Sequence, residues 1–306
     1  MSAWDTIPYT LRQLQYLVAV ADLGGFRKAA EACSVAQPSM SAQVAQVEQA
    51  IGVQIFERGA RGIRVTAAGA VLIDRARSVL LATRDLSDAA RLQGDPMRGT
   101  VRIGVIPTVC PYLLPEIAPA LRQRLPTLHL IWREDKTQAL IDAIDDGSID
   151  GAILALDDRV MAFEHATVGD DPFVLAAALG HRLARSHTRA STDVLEGETV
   201  LLLDDGHCFR EQALAVCGAS GAKEADVKAT GLSTLVQMVG AGDGVTLLPM
   251  LAVPVENRRG QLAIRAFKSP QPTRRLVVAW RKGSAMRRPL EAIAGVIRKA
   301  WPTARP

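Results

Sequence analysis

The chain has little of what a membrane protein, a disulfide scaffold or an aromatic-rich binder would need. Of its 306 residues, 6 are Phe, 4 Trp and 3 Tyr, and aliphatic residues supply most of the apolar half. That balance suits an α/β protein with aliphatic cores. No apolar run reaches the length of a spanning helix, which takes about 20 residues. Met1–Thr10 lacks a basic segment followed by an apolar one, so no secretory leader and no membrane partner are expected, and the location expected is cytoplasmic. In that compartment 4 cysteines argue against a structural disulfide framework and leave transient thiol chemistry open. No cofactor and no metal are expected. The net charge of +4 is compatible with nucleic acid without indicating it. Four of the late cations, Arg287, Arg288, Arg298 and Lys299, lie on an amphipathic helical pattern and read as a solvated face.

What is present concentrates in one segment, Asp204-Asp205-Gly206-His207-Cys208-Phe209-Arg210-Glu211-Gln212, with Cys217 nine positions after Cys208. Thr199–Leu203 reads as a short buried strand stopped by the Asp-Asp-Gly turn signal. Cys208 to Val216 reads as a helix with Asp205 or Gly206 as its N-cap. Cys208 then sits in the first helical turn, where the macrodipole favours a thiolate. His207 and Arg210 are expected to lower its pKa further. Across a continuous helix from 208 to 217 the two cysteines stand roughly 13 Å apart at about 1.5 Å per residue. A disulfide needs Cα atoms within about 7 Å. The pair therefore never bonds, or bonds only when the helix unwinds; equally, Cys217 reads as an ordinary buried apolar cysteine.

The first third is helical. Leu14, Leu17, Val18 and Ala21 mark a first helix over Leu11 to Ala21, Phe26 to Ala32 a second, and Gln37 to about Ile51 a third with Pro38 in its first turn. Met40, Val44, Val47 and Ile51 give that third helix a buried stripe. Its other face offers Gln37, Ser39, Ser41, Gln43 and Gln46, short hydrogen-bonding groups suited to base edges in a major groove. The stretch from Arg58 through Arg61 and Arg64 to Thr66 reads as a basic hairpin, a wing on the phosphate backbone.

Phe26-Arg27-Lys28-Ala29-Ala30-Glu31-Ala32, Gln37-Pro38-Ser39-Met40-Ser41, Val47-Glu48, Gly52-Val53, Ile55-Phe56-Glu57-Arg58 and Thr66-Ala67-Ala68-Gly69 together resemble the winged helix-turn-helix signature of LysR-type transcriptional regulators. The resemblance implies an α/β protein in three parts. These are a winged helix-turn-helix over 1–66 that binds double-stranded DNA, a linker and dimerisation helix over 67–94, and a two-lobed, periplasmic-binding-protein-like regulatory domain over 95–306. Lobe I would take 95–169 and 276–306, and lobe II 170–275. It also implies a transcription factor rather than an enzyme, a homotetramer built as a dimer of dimers, and RNA polymerase as partner. The residues agree: Leu72, Val79 and Leu86 recur every seven positions with Ala76, Thr83 and Ala90 between them, a modest coiled-coil seam, and Gly94-Asp95-Pro96 ends it. Beyond it, strands at Thr100–Ile106, His129–Trp132 and Gly151–Leu156 alternate with helices at Leu113–Leu125 and Thr137–Asp145. Phe173–Leu179, Thr199–Leu203, Val245–Leu248 and Leu276–Trp280 continue the pattern, which predicts parallel strands with crossover helices. Thr108, Thr137 and His207-Cys208 then fall at carboxyl ends of strands, where ligands of such sheets bind.

Within the family the closest likeness is to members that sense hydrogen peroxide. Ile106-Pro107-Thr108-Val109, Pro111-Tyr112-Leu113-Leu114-Pro115, Asp205-Gly206-His207-Cys208, Arg210, Gln212-Ala213, Cys217 and Gly244-Val245-Thr246-Leu247-Leu248-Pro249 carry it. The likeness implies that Cys208 is the peroxidatic and Cys217 the resolving cysteine. It implies that Thr108, Thr137 and His207 hold peroxide, that Arg275 joins Arg210 in tuning the thiolate, and that thiol reductants reset the switch. Cys110 departs from the pattern, which would have glycine there, and stands as either silent packing or a competing thiol. Cys33 reads as a small buried residue. A regulator answering to a small metabolite, with the cysteines incidental, and a thiol peroxidase are the rival readings.

Overall fold

The computed structural model describes residues 7–59, 62–92, 94–218 and 220–302. They form two compact units, Met1–Ala90 and Arg91–Pro306. Each is built around its own core.

The first unit runs α1 (Leu11–Leu23), α2 (Phe26–Ala32), α3 (Gln37–Ile51), β1 (Phe56–Gly59), β2 (Gly62–Val65) and α4 (Ala67–Leu92). Thr10 starts α1 with a capping box shared with Gln13, each satisfying a donor the helix end leaves open. Leu14, Leu17 and Val20 of α1 meet Ala29 and Ala30 of α2 and Met40, Val44 and Val47 of α3. The stripe on α3 is buried as its periodicity requires, with Ile51 packed at the core's edge. The Glu48 carboxylate at the end of α3 accepts from the backbone N–H of Ile55 (2.7 Å) and Phe56 (2.9 Å), which fixes the approach to the wing. β1 and β2 pair antiparallel as the expected hairpin. Helix α4 divides along its length: Ile73 and Ala76 belong to the head core, whereas Val79 and Leu86 are exposed. So the first turns of the expected seam serve the head, and only the later ones are free for another surface.

The second unit carries β3 (Gly99–Val105), α5 (Cys110–Arg124), β4 (Leu128–Glu134), α6 (Thr137–Asp145), β5 (Gly151–Ala155), β6 (Glu164–Ala178), β7 (Thr199–Leu203), α7 (Cys208–Gly218), β8 (Lys223–Ala229), α8 (Leu232–Ala241), β9 (Val245–Pro249), α9 (Val253–Glu256), β10 (Leu262–Ala266), β11 (Thr273–Trp280) and α10 (Arg287–Lys299). The strand order is β4-β3-β5-β11-β6-β9-β7-β8, with β10 also on β6. Two lobes share this path. β3 lies parallel between β4 and β5, and β7 parallel between β8 and β9, as alternation of strand and helix requires. β6, β10 and β11 run antiparallel to their neighbours. β6 pairs with β11 up to Pro172 and with β9 from Phe173, so one continuous strand passes between the lobes.

Several boundaries differ from the sequence expectation. α5 begins at Cys110, three residues early, because Pro111 lies in its first turn, where the missing N–H is no loss. β8 and β10 were not anticipated; β8 is an edge strand carrying Lys223, Glu224, Asp226 and Lys228, charges that blunt an edge and hide its period from a hydrophobic reading. Among the described residues no helix is long and apolar enough to cross a membrane.

Gly69 shows how tightly the head closes. A Cβ there would lie 2.3 Å from the Ile55 carbonyl oxygen, a contact that backbone cannot yield to easily. Gly69→Ala should therefore lower head stability by about 1–3 kcal/mol through overpacking, despite the better helix propensity of alanine. Urea unfolding with an unchanged or later midpoint would contradict the close approach.

Candidate functional site

Strand ends bring the site together. Thr108 follows β3 and leads into α5; Thr137 is the first residue of α6 after β4; His207 and Cys208 open α7 after β7. All four are buried, at 3%, 2%, 4% and 4% exposure. The threonines come from lobe I and the His-Cys pair from lobe II, so the site lies where the lobes meet. A fifth member escaped the sequence reading. Arg274 on β11 donates from Nη1 to Thr108 Oγ1 (2.7 Å) and from Nη2 to the Thr108 carbonyl (2.9 Å). Its Nε and Nη2 engage Asp171 Oδ2 at 2.9 and 2.8 Å, both side chains being wholly buried. Asp171 Oδ1 in turn accepts from the Leu251 N–H at 3.0 Å. The guanidinium also lies 5.6 Å from the ring centroid of Phe209, which stands edge-on to Phe173 at 5.3 Å.

Cys208 feels opposed influences. Burial pushes its thiol up, and this is the largest effect; Asp157 adds to it, while the Thr137 hydroxyl, Arg274 and Arg159 pull the other way. The first turns of α6 and α7 favour negative charge at the same place. His207 is held below the ordinary imidazole range by burial first and by Lys136 second, with Asp204 opposing. The expectation of a lowered Cys208 thiol is therefore corrected: burial outweighs the groups that oppose it, and His207 is not among the groups that lower it. His207 Nε2 is buried without a hydrogen-bond partner, and Thr137 Oγ1, also buried, has none besides the Cys208 thiol. Such groups are costly unless something satisfies them.

Two expected tuning residues face elsewhere. Arg275 is exposed on the opposite face of β11 and paired with Asp170 at 2.9 Å. Side chains alternate along a strand, so a one-residue step exchanges the cleft for solvent; Arg274 takes the place expected of Arg275. Arg210 turns to lobe II, bonding the Leu203 carbonyl (3.1 Å), Asp205 (2.9 Å) and Glu224 (2.8 Å). It braces the turn before α7 rather than the thiol.

The remaining thiols are quiet. All 4 cysteines are free. Cys208 and Cys217 stand on one unbroken helix, Cys208–Gly218, so the separation of about 13 Å follows from helical rise. Burial pushes Cys217 up to about 11. Cys110 is pushed up to about 12, by burial and then by Glu134. Cys33 packs at the edge of the head core.

On the head, Gln37, Pro38 and Ser39 are exposed at the start of α3, while Ser41 and Gln43 are half-buried. The Gln43 carboxamide accepts from Gln13 Nε2 at 2.9 Å, which orients it from α1. Arg64 is exposed on β2 and Arg58 lies on β1; Arg61 falls outside the described residues.

Two family models match the chain: "Bacterial regulatory helix-turn-helix protein, lysR family" over residues 11–70 and "LysR substrate binding domain" over residues 94–302. A DNA-binding transcriptional dual regulator, OxyR of Escherichia coli K12, is 42% identical over 289 residues, 94% of each chain. A full-length OxyR variant from Pseudomonas aeruginosa superposes with a TM-score of 0.75 at 30% identity, covering 97% of this chain and 99% of that one. An H2O2-bound OxyR mutant from Corynebacterium glutamicum gives 0.66 at 32% identity, covering 97% and 94%.

Arg274→Met should destabilise the second unit by about 3–5 kcal/mol, because Asp171 is left as an uncompensated buried charge; a shift in the urea midpoint reads it, and Asp171→Asn on the same background should recover part of the loss. Glu134→Gln removes one of the two influences that raise the Cys110 thiol. Alkylation of Cys110 at pH 8, followed by mass spectrometry, should be slow in the wild type and faster in that variant, though burial keeps it well below an exposed thiol.

Proposed function

The chain belongs to the LysR family of bacterial transcriptional regulators, and on that premise we propose that it senses hydrogen peroxide through oxidation of Cys208 and reports the event to DNA. As a member of that family it is a regulator rather than an enzyme. One observation carries the peroxide reading: a buried thiol met by the Thr137 hydroxyl, with a buried imidazole nitrogen on the adjoining residue, His207 Nε2, that has no hydrogen-bond partner. A ligand that meets these buried groups must be small, able both to donate and to accept hydrogen bonds, and reactive toward sulfur. Hydrogen peroxide has those properties, and a peroxide-bound relative shares the fold.

The chemistry follows from the groups present. Neutral His207 is the base that takes the Cys208 proton. Thr108 and Thr137 hold peroxide, and the Thr108 hydroxyl, already accepting from Arg274, is free to donate. The thiolate attacks one peroxide oxygen, the O–O bond breaks, a sulfenic acid forms, and the leaving hydroxide receives the proton held by His207 and departs as water. Cys217 attacks that sulfur only after α7 opens, which also lifts the burial that keeps its own thiol protonated. A disulfide then forms with loss of a second water, and cytosolic thiol reductants reverse it.

The DNA-facing groups in this reading are Gln37, Pro38, Ser39, Ser41 and Gln43 on α3 with Arg58, Arg61 and Arg64 of the wing. Val79 and Leu86, exposed on α4, form the seam of a dimer that pairs again into a cytoplasmic tetramer. Oxidation alters how its subunits sit, and so how RNA polymerase is engaged.

Cys208→Ser should abolish the peroxide-dependent change in transcription and leave DNA binding intact; a wild-type response in that variant would sink the proposal. Cys217→Ser should still form a trappable sulfenic acid without the disulfide. Thr137→Val should slow oxidation of Cys208 by about a hundredfold, the scale of losing one preorganised donor, as measured by loss of free thiol under substoichiometric peroxide.

A further inference from the structure

Lys136 crosses from lobe I to the turn that precedes the thiol-bearing helix. It is the residue immediately before α6, so it shares a peptide bond with Thr137. Its Nζ donates to the Asp205 carbonyl oxygen at 2.8 Å. The chain reaches that oxygen by passing over Gly206, whose φ of +88° is a glycine conformation and whose missing Cβ would lie 3.2 Å from Lys136 Cδ. The Asp205 carboxylate is meanwhile held within lobe II by Arg210 at 2.9 Å and Lys228 at 3.7 Å. One residue of the turn is thus gripped by its carboxylate from lobe II and by its carbonyl from lobe I.

We propose that Lys136 is a positioning residue for the thiol oxidation: it clasps the turn 205–207 to lobe I, faces His207 with a fixed positive charge, and so sets the pH range over which Cys208 is oxidised. The inference rests on the peroxide-sensing reading of the same site. The dipeptide Lys136-Thr137 delivers both parts at once, a hydroxyl to the thiol and an ammonium to the turn that carries it. The charged groups that face His207 are Lys136 from the start of α6 and Asp204 from the end of β7. They act in opposite senses on the imidazole, and burial, the largest influence, sides with Lys136. Removing the ammonium leaves Asp204 unopposed among charges, and the imidazole then holds its proton to higher pH. A protonated His207 cannot accept the thiol proton, so oxidation weakens from the acid side. Arg159 ties the same helix from lobe I through Glu211 at 3.0 Å, but it grips α7 itself and does not touch the turn.

The test uses the full chain, with Lys136→Met and Lys136→Arg beside the wild type. The initial rate of Cys208 thiol loss under substoichiometric hydrogen peroxide is followed by mass spectrometry from pH 5.5 to pH 8.5, and amide exchange is read over the turn 205–207. For Lys136→Met the ratio of the rate at pH 6 to that at pH 8 should fall about threefold below the wild-type ratio, in the sense of a base that charges at higher pH, and the turn should exchange faster. Lys136→Arg, which keeps the charge, should restore the pH profile. A Lys136→Met profile that superimposes on the wild type overturns the inference and leaves the sensor reading standing. Equal displacement in both variants also overturns it, since charge would not be the cause. A wild-type Cys208 that resists peroxide at every pH overturns the sensor reading and this inference together.

Discussion

The second unit depends on one interaction, the buried ion pair of Arg274 and Asp171. Two charges fully withdrawn from water are unfavourable unless nearly every donor and lone pair is used. Here the guanidinium meets Asp171, the Thr108 hydroxyl and the Thr108 carbonyl, and the carboxylate meets the Leu251 N–H. The partners come from β11, β6, the turn after β3 and the segment after β9. The pair therefore stitches both lobes at the strand that passes between them and places Thr108 on the floor of the cleft. The same guanidinium supports the ring of Phe209, the residue next to Cys208. A charge buried for structural reasons has thereby become part of the electrostatic surroundings of the thiol.

Those surroundings set Cys208 apart from the other thiols of the second unit. Burial raises the Cys208 thiol, and a set of groups from three elements works against it: Thr137 on α6, Arg274 on β11, Arg159 in the turn before β6. Cys110 and Cys217 experience burial without such a set, and Cys110 has a carboxylate beside it as well. The contrast is one of neighbours rather than depth. On the proposed reading, that difference in neighbours is what singles out Cys208 for oxidation.

Much of this was legible in the chain because it was written in period and punctuation. Helical spacing located the stripe Met40, Val44, Val47, and the Asp-Asp-Gly stop located the end of β7 and the start of α7. Strand-end logic gathers Thr108, Thr137 and His207-Cys208 from the sequence alone. Where it failed, the reason was physical. Arg274 and Arg275 are neighbours of identical type at the start of a strand, and only register decides which of them faces the cleft. Arg210 is near Cys208 in sequence but has carboxylates on β8 and in the turn that bind it better. β8 hid behind its own charges, and Pro111 read as a loop residue although it serves as a helix start. Register, competing partners and edge strands are tertiary facts.

Phe209 has a consequence of a different kind. It shares a peptide bond with Cys208 and fills a slot between Phe173 and Arg274. Any large displacement of Cys208 would draw that ring out of its slot. Burying such a ring is worth about 1.5–3 kcal/mol, and its edge-on partner about 0.5–1.5 kcal/mol more. The ring acts as a detent. In the proposed switch each molecule would then be in one position or the other, so that a graded input is met by a changing headcount of molecules rather than by a graded shape.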